Sequence, residues 1–266
     1  MLAACGAGSG SKPSSTPETT ATPPPLAASE AIVASAMRVT ADGRGVLAQL
    51  SWNVERNGFH VSRDGSYVVN AAGDLKLATH YRGQGSVPSQ FREANDSQVT
   101  LVGNEAYVLS PPLGSDWVKF TPQEFGGDWD VVKRLASARS PIDYSSVVRV
   151  ASPDAHDAGH DSIDGQQYER YRGAVEANVL MKALADAYGS QGQAMFVNRF
   201  SGPIPTEVWL DTTTSLPRRL RADGHLTYLD GDTHLVITVD FTERSPDLTV
   251  SAPANYREYK DLVSGQ

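Results

Sequence analysis

The stretch D-G-Q-Q-Y-E-R-Y-R-G-A-V-E-A-N-V-L-M-K-A-L-A-D-A-Y-G, residues 164–189, changes period in its middle, and that change decides the fold. Residues 166–175 alternate, which puts Tyr168 and Arg170 on one face of a strand and Glu169 and Tyr171 on the other. From Glu176 to Tyr188 the apolar residues recur at helical spacing. Leu180, Leu184 and Tyr188 fall four apart with Ala177 and Met181 beside them, while Glu176 and Lys182 face elsewhere. Gly189 stands where such a helix stops. A strand running straight into a helix with one apolar stripe implies a sheet for that stripe to lie on.

Most of the remaining chain reads as that sheet. Val46, Ala48, Leu50, Trp52 and Val54 alternate with Leu47, Gln49, Ser51 and Asn53, a half-buried strand. Asn57-Gly58 predicts a hairpin turn, Asp64-Gly65 a second one ahead of Tyr67, and Ala72-Gly73-Asp74 a third leading into Leu75, Leu77, Thr79 and Tyr81. Strands at 90–94, 98–102 and 106–110 follow, the last two joined by Gly103-Asn104. Hairpin spacing of this kind predicts an antiparallel meander. Ser29 is expected to cap a helix through Met37, with Ile32, Val33, Ala36 and Met37 as its apolar side.

Pro111-Pro112 ends the run of strands. Residues 117–120 read as extended, and 129–138 as an amphipathic helix with Val131, Val132, Leu135 and Ala138 inward and Lys133, Arg134 and Arg139 solvated. Ile142 and Tyr144 then precede an expected strand at 146–151 and a loop at 152–163. Closing strands are expected at 206–211, at 217–223, and as a pair at 226–229 and 234–242, where Leu235, Ile237, Val239 and Phe241 point one way. The tail at 251–266 finishes as a short helix. The expected class is α+β: a strongly curved antiparallel sheet, half of a β-barrel, with helices on its concave side. It forms a single domain over 29–266 behind a tether at 1–28.

Composition narrows the function. A hydrophobic fraction of 40% supports an ordinary core. A net charge of -8, with no cluster of Lys and Arg, argues against nucleic acid. No stretch approaches the roughly 20 apolar residues of a membrane-spanning helix. The single cysteine, Cys5, excludes an intrachain disulfide. It closes the phrase Leu2-Ala3-Ala4-Cys5, which has the form of a lipobox: small residues ahead of the cut, and a thiol that takes the lipid. The Gly, Ser, Thr and Pro-rich run behind it suits a tether. The charged and apolar segments that precede a lipobox are missing from the sequence given, so a chance cysteine in a disordered start stays open beside the anchored reading.

Several phrases in order resemble a known group. Asp164-Gly165 precedes Tyr171-Arg172-Gly173; Pro205-Thr206-Glu207-Val208-Trp209-Leu210-Asp211 and Leu216-Pro217-Arg218-Arg219 follow; Thr238-Val239-Asp240-Phe241 and Val250-Ser251-Ala252-Pro253 close the series. The pattern resembles actinobacterial lipoproteins of the LppX/LprG type, with a fold related to LolA and LolB. The resemblance implies a LolA-like half-barrel closed by helices, an extracytoplasmic protein acylated at Cys5, and a lipid or glycolipid ligand held by cavity shape. Only Cys5 carries over as a functional position, and Tyr168-Glu169-Arg170 lacks a histidine that many relatives have there.

The ligand-cavity candidates are the apolar stripes: Leu50, Trp52, Val131, Leu135, Leu180, Met181, Leu184, Tyr188, Ile237 and Val239. The same residues equally serve as ordinary core, since alternation alone does not separate a filled interior from a cavity wall. No nucleophile elbow, phosphate loop or acid/base pair occurs, so neither an enzyme nor a cofactor is expected, and a monomer is. The rival reading is a non-enzymatic interaction or signalling lipoprotein with a filled core. Asp154, His156, Asp157, His160, Asp161 and Asp164 crowd together, but Pro153, Ala158 and Gly159 break the helix that would put His156 and His160 on one face, and no metal site is expected. Replacing His160 by Ala should leave stability and metal content unchanged; elemental analysis showing bound metal lost in the variant would overturn this.

Overall fold

The computed structural model describes residues 27–56, 58–85, 95–142, 144–185, 200–228 and 231–264. α1 (Ala28–Ala41) leads into β1 (Gly45–Arg56), β2 (Phe59–Val69), β3 (Leu75–Gly85), β4 (Asn95–Val102), β5 (Glu105–Leu109) and β6 (Val118–Phe120). The helices α2 (Pro122–Phe125), α3 (Gly127–Ala138) and α4 (Tyr144–Ala151) come next, then β7 (His156–Ile163), β8 (Gln166–Glu176) and α5 (Ala177–Ala185). β9 (Phe200–Ser201), β10 (Pro203–Asp211), β11 (Pro217–Tyr228), β12 (Gly231–Ser245), β13 (Arg257–Glu258) and α6 (Tyr259–Ser264) complete the chain.

The strands form one large, open, curved and mostly antiparallel sheet in the order β13-β6-β5-β4-β3-β2-β1-β12-β11-β10-β8-β7, with β9 on β11. β1 to β6 make one meander and β7 to β12 another, and the two are joined by β1 against β12. Register sets which side chains share a face. Leu50 lies opposite Val239, and Trp52 opposite Ile237. Leu220 and Ala222 of β11 continue the same two rows, so one face is apolar across the middle of the sheet. β13 is parallel to β6 and begins with the amide of Arg257 donating to the carbonyl of Trp117.

The expected antiparallel meander is present, and the differences from expectation have physical reasons. Asp64-Gly65 is not a turn; both residues lie inside β2, paired with Ser51 and Leu50 on one side and His80 and Thr79 on the other. A Cβ on Gly65 would sit 2.9 Å from the carbonyl oxygen of Ala78, so glycine here lets two strands close in rather than reverse. The expected strand at 146–151 is α4. Its valines favour a strand, yet Tyr144, Val147, Val148 and Ala151 recur at helical spacing and all four are buried, so packing overrides propensity.

The expected loop at 152–163 contains β7, an edge strand whose histidines and aspartates blunt an otherwise open edge. The strands expected separately at 217–223 and 226–229 are one element, β11, which runs through from Pro217 to Tyr228. Ser29 does not cap α1, which starts a residue earlier without a side-chain cap, and the buried side is Ile32, Ser35, Ala36 and Val39, leaving Met37 exposed. The expected strand at 90–94 and the residue Asn57 lie outside the described residues.

Replacing Gly65 by Ala should lower stability by about 1–3 kcal/mol, because the new methyl meets backbone rather than a movable side chain. A shift of the denaturant midpoint with an unchanged far-ultraviolet circular dichroism spectrum is the expected result.

Candidate functional site

Residues of the sheet's apolar face and of α1, α3, α4 and α5 share one buried cluster. Leu50 and Trp52 come from β1, Ile237 and Val239 from β12, Val131 and Leu135 from α3, and Leu180 and Met181 from α5. All eight are buried, so the structure brings these expected cavity residues together. Leu184 belongs to α5, but its side chain, like Tyr188 and Cys5, lies outside the described residues.

The helices are tied to the sheet and to each other by a few buried polar contacts. The Tyr67 hydroxyl of β2 donates to the carbonyl of Leu135 in α3 at 2.8 Å. Tyr144 of α4 shares a 2.9 Å hydrogen bond with the Ser35 hydroxyl of α1, and its ring meets Phe241 of β12 edge-on. Burial pushes both phenols well above the ordinary tyrosine range, against the opposing charge of neighbouring arginines. Both therefore stay neutral and act as donors and packing groups. Gly173 of β8 lets α4 come close, since a Cβ there would lie 2.7 Å from the Ala151 carbonyl.

A second feature is charge on the inner side. Arg139 caps α3 in a left-handed conformation with φ 51° and is not solvated as expected. Its guanidinium donates to the carbonyls of Arg44, Asn70 and Ala71, which lashes the end of α3 to the ends of β1 and β2. Arg244 of β12 pairs with Val46 and so shares a row with Val46, Val69, Leu75, Leu101, Ala106 and Phe120, all buried. Alternation from Leu235 to Phe241 would instead carry on to Glu243. A bulge opposite Leu47/Ala48 shifts the register and turns Arg244 inward. Two charges after a clean apolar alternation are the only trace of this in the sequence.

The opposite face is charged and solvated. Glu207 accepts from Arg170 at 2.5 Å and Arg172 at 2.6 Å, and Asp240 from Arg219 at 2.6 Å. Trp209 packs with Ile163 and Tyr168 under Arg170 and Arg219, and its indole donates to Asp161 at 3.1 Å. That bond and the amide of Ser162 hold the Asp161 carboxyl below the usual carboxylate range. Three grooves walled by described residues are polar and open. One of about 580 Å³ is lined by Glu55, His60, His225 and His234 among others; one of about 530 Å³ lies over Arg172, Glu207 and Arg221; one of about 380 Å³ adjoins Lys76 and Trp117. None is lined by an expected cavity residue. His156 and His160 are exposed on β7 on either side of its bulge, and no group of three metal-binding side chains occurs among the described residues.

By architecture this is an α+β chain on one open, curved, mostly antiparallel sheet. It is similar to LprF from Mycobacterium bovis at 17% identity over 85% of this chain and 97% of that one, with a TM-score of 0.49. It is also similar to the Mycobacterium tuberculosis lipoprotein LppX, at 14% identity over 84% of this chain and 99% of that one and a TM-score of 0.44. A LolA superfamily protein from Nitrosomonas europaea matches at 10% identity over 85% and 96%, with a TM-score of 0.27. The group named from the phrase order thus recurs among similar solved structures. No protein-family model matches the sequence, and no curated protein matches it.

Replacing Tyr144 by Phe removes its side-chain bond from α4 to α1 while Ser35 keeps its bond to the Ile32 carbonyl. The variant should be about 1 kcal/mol less stable by chemical denaturation.

Proposed function

We propose that this chain is a membrane-anchored, extracytoplasmic lipoprotein that binds or carries an acyl-chain-bearing lipid or lipoglycan. In this reading the sheet is half of a barrel, α1, α3, α4 and α5 cover its concave side, and the ligand's hydrocarbon lies between them. Acylation of Cys5 holds the protein to the membrane, and the polar run behind it sets the distance. Binding proceeds by burial, without bond making or breaking.

The observation that carries the reading is the makeup of the interface between sheet and helices. Rows such as Val208, Leu220, Val239 and Leu50 are apolar across four strands, and the elements facing them are short separate helices rather than a second hydrogen-bonded sheet. Such helices are held by side-chain packing and by isolated bonds such as Tyr67 to Leu135. They can move outward without breaking a ladder. Each ligand methylene transferred from water contributes ~0.8 kcal/mol, so even part of one acyl chain holds the ligand.

One observation favours the rival, an interaction or signalling lipoprotein with a filled core: every described candidate residue is already buried in a single cluster. The two readings differ in what the protein takes up. Native mass spectrometry after gentle extraction from the host should find protein carrying lipid mass, and purified protein should take up a neutral fluorescent acyl ester. Protein that is reproducibly free of lipid and takes up no probe would leave the filled-core reading standing.

A further inference from the structure

Arg244 is a nearly buried charge without a sufficient partner. Its side chain is 10% exposed, and both terminal nitrogens, Nη1 and Nη2, are closed off from solvent with no hydrogen-bond acceptor. The nearest carboxylate oxygen, Oδ2 of Asp42, stands 3.9 Å from Nη1, too far for a hydrogen bond. Asp42 is itself engaged through Oδ1 by Arg44 at 2.8 Å. The guanidinium lies over the Phe241 ring, 5.2 Å from its centre. One face of the plate is therefore held by an aromatic ring, while Nη1 and Nη2 have no acceptor within hydrogen-bond distance and the Oδ2 of Asp42, itself unpaired, stands 3.9 Å away.

The surroundings reinforce this. Arg139 satisfies its donors with carbonyls, so its charge and that of Arg44 both bear on Arg244, with Asp42 the carboxylate that opposes them. Arg139 and Arg244 both bear electrostatically on Tyr67, whose hydroxyl also meets the amide of Ser140. The Ser140 hydroxyl is likewise buried and without a partner. An excess of positive charge and idle donors inside a protein of net charge -8 is costly unless an anion completes it.

We propose that Arg244 is the headgroup anchor of this protein: a binding site for a carboxylate or phosphate, taken up as the acidic head of the amphiphile proposed above. The inference rests on that reading of the interior. The fork of Arg244 matches the two oxygens of such a group, which an ammonium does not. Along β12 from Arg244 the inward residues are Phe241, Val239, Ile237 and Leu235, an apolar path on the order of 20 Å for the attached chain. The bulge that turns Arg244 inward thus sets a charged stop at the end of an apolar track.

The test compares a fluorescent long-chain fatty acid with its methyl ester on the full chain, by titration at neutral pH. Wild-type protein should prefer the acid by about tenfold or more. Arg244→Met should erase the preference and leave ester affinity unchanged, with a denaturation midpoint at or above wild type, since an apolar isostere relieves a poorly paired buried charge. Arg244→Lys, which keeps the charge but loses the fork, should retain only part of the preference, and it serves also if Arg244→Met fails to fold. Equal affinity of wild type for both probes, or an undiminished preference in either variant, overturns the proposal and leaves the carrier reading intact. Failure of wild type to bind either probe removes both. Inorganic phosphate alone that raises the wild-type denaturation midpoint, and does so less in Arg244→Met, while the fatty acid binds no tighter than its ester, would assign the site to a free anion and overturn the headgroup assignment.

Discussion

The antiparallel pairing of β1 with β12 is the constraint on which the rest depends. It runs the full length of β1, from Gly45 against Ser245 to Arg56 against Thr233, and it joins two meanders that have no other strand pair in common among the described residues. Those strands lie near opposite ends of the chain, so closing them costs entropy that the local hairpins do not. What offsets it is apolar: Leu50 against Val239, Trp52 against Ile237 and Val54 against Leu235 are all buried. A slip of β12 by one residue along β1 would turn Val239, Ile237 and Leu235 to solvent and bring Thr238 and Val236 inward against the β1 row. The seam is therefore specified by its own side chains, and every inner row across the sheet inherits its register.

That seam also explains how much of the molecule was legible in the sequence. Where one face is buried and one solvated, period-two alternation survives, and β1, β8 and β12 are readable from it. Period 3.6 is equally clear in α3 and α5. Legibility fails where local chemistry and tertiary packing disagree. Asp64-Gly65 has the composition of a turn, but the alternation of Val61, Tyr67 and Val69 continues through it, and only the closeness of Ala78 explains the glycine. In α4 the run Val147-Val148 favours a strand, whereas the spacing of Tyr144, Val147, Val148 and Ala151 favours a helix. With a helix layer available to pack against, spacing wins.

The candidate site was legible in its apolar part and not in its polar part. Leu50, Trp52, Val131, Leu135, Leu180, Met181, Ile237 and Val239 carry the periodic signal that buried residues must carry. Tyr67, Ser35, Tyr144 and Arg139 meet through contacts between distant segments, which no local window contains. The inward place of Arg244, beyond the expected strand at 234–242, was not legible for a further reason. A bulge inverts the parity of everything beyond it, and parity is what tells inward residues from outward ones along a strand.

A bulge at that point has a consequence for how the interior can work. Without it, the alternation of β12 would carry Glu243 to the apolar side. With it, the acidic residue leaves and a guanidinium enters, while Phe241 just before the bulge keeps its place against Tyr144. One extra residue in β12 thus changes the sign of charge at the rim without disturbing the packing of the inner row. The apolar rows by themselves do not distinguish one hydrocarbon from another, because burial is non-directional. Discrimination between ligands has to come from groups with direction, and on this face of the sheet Arg244 has a fork, a fixed plane against Phe241 and no acceptor of its own.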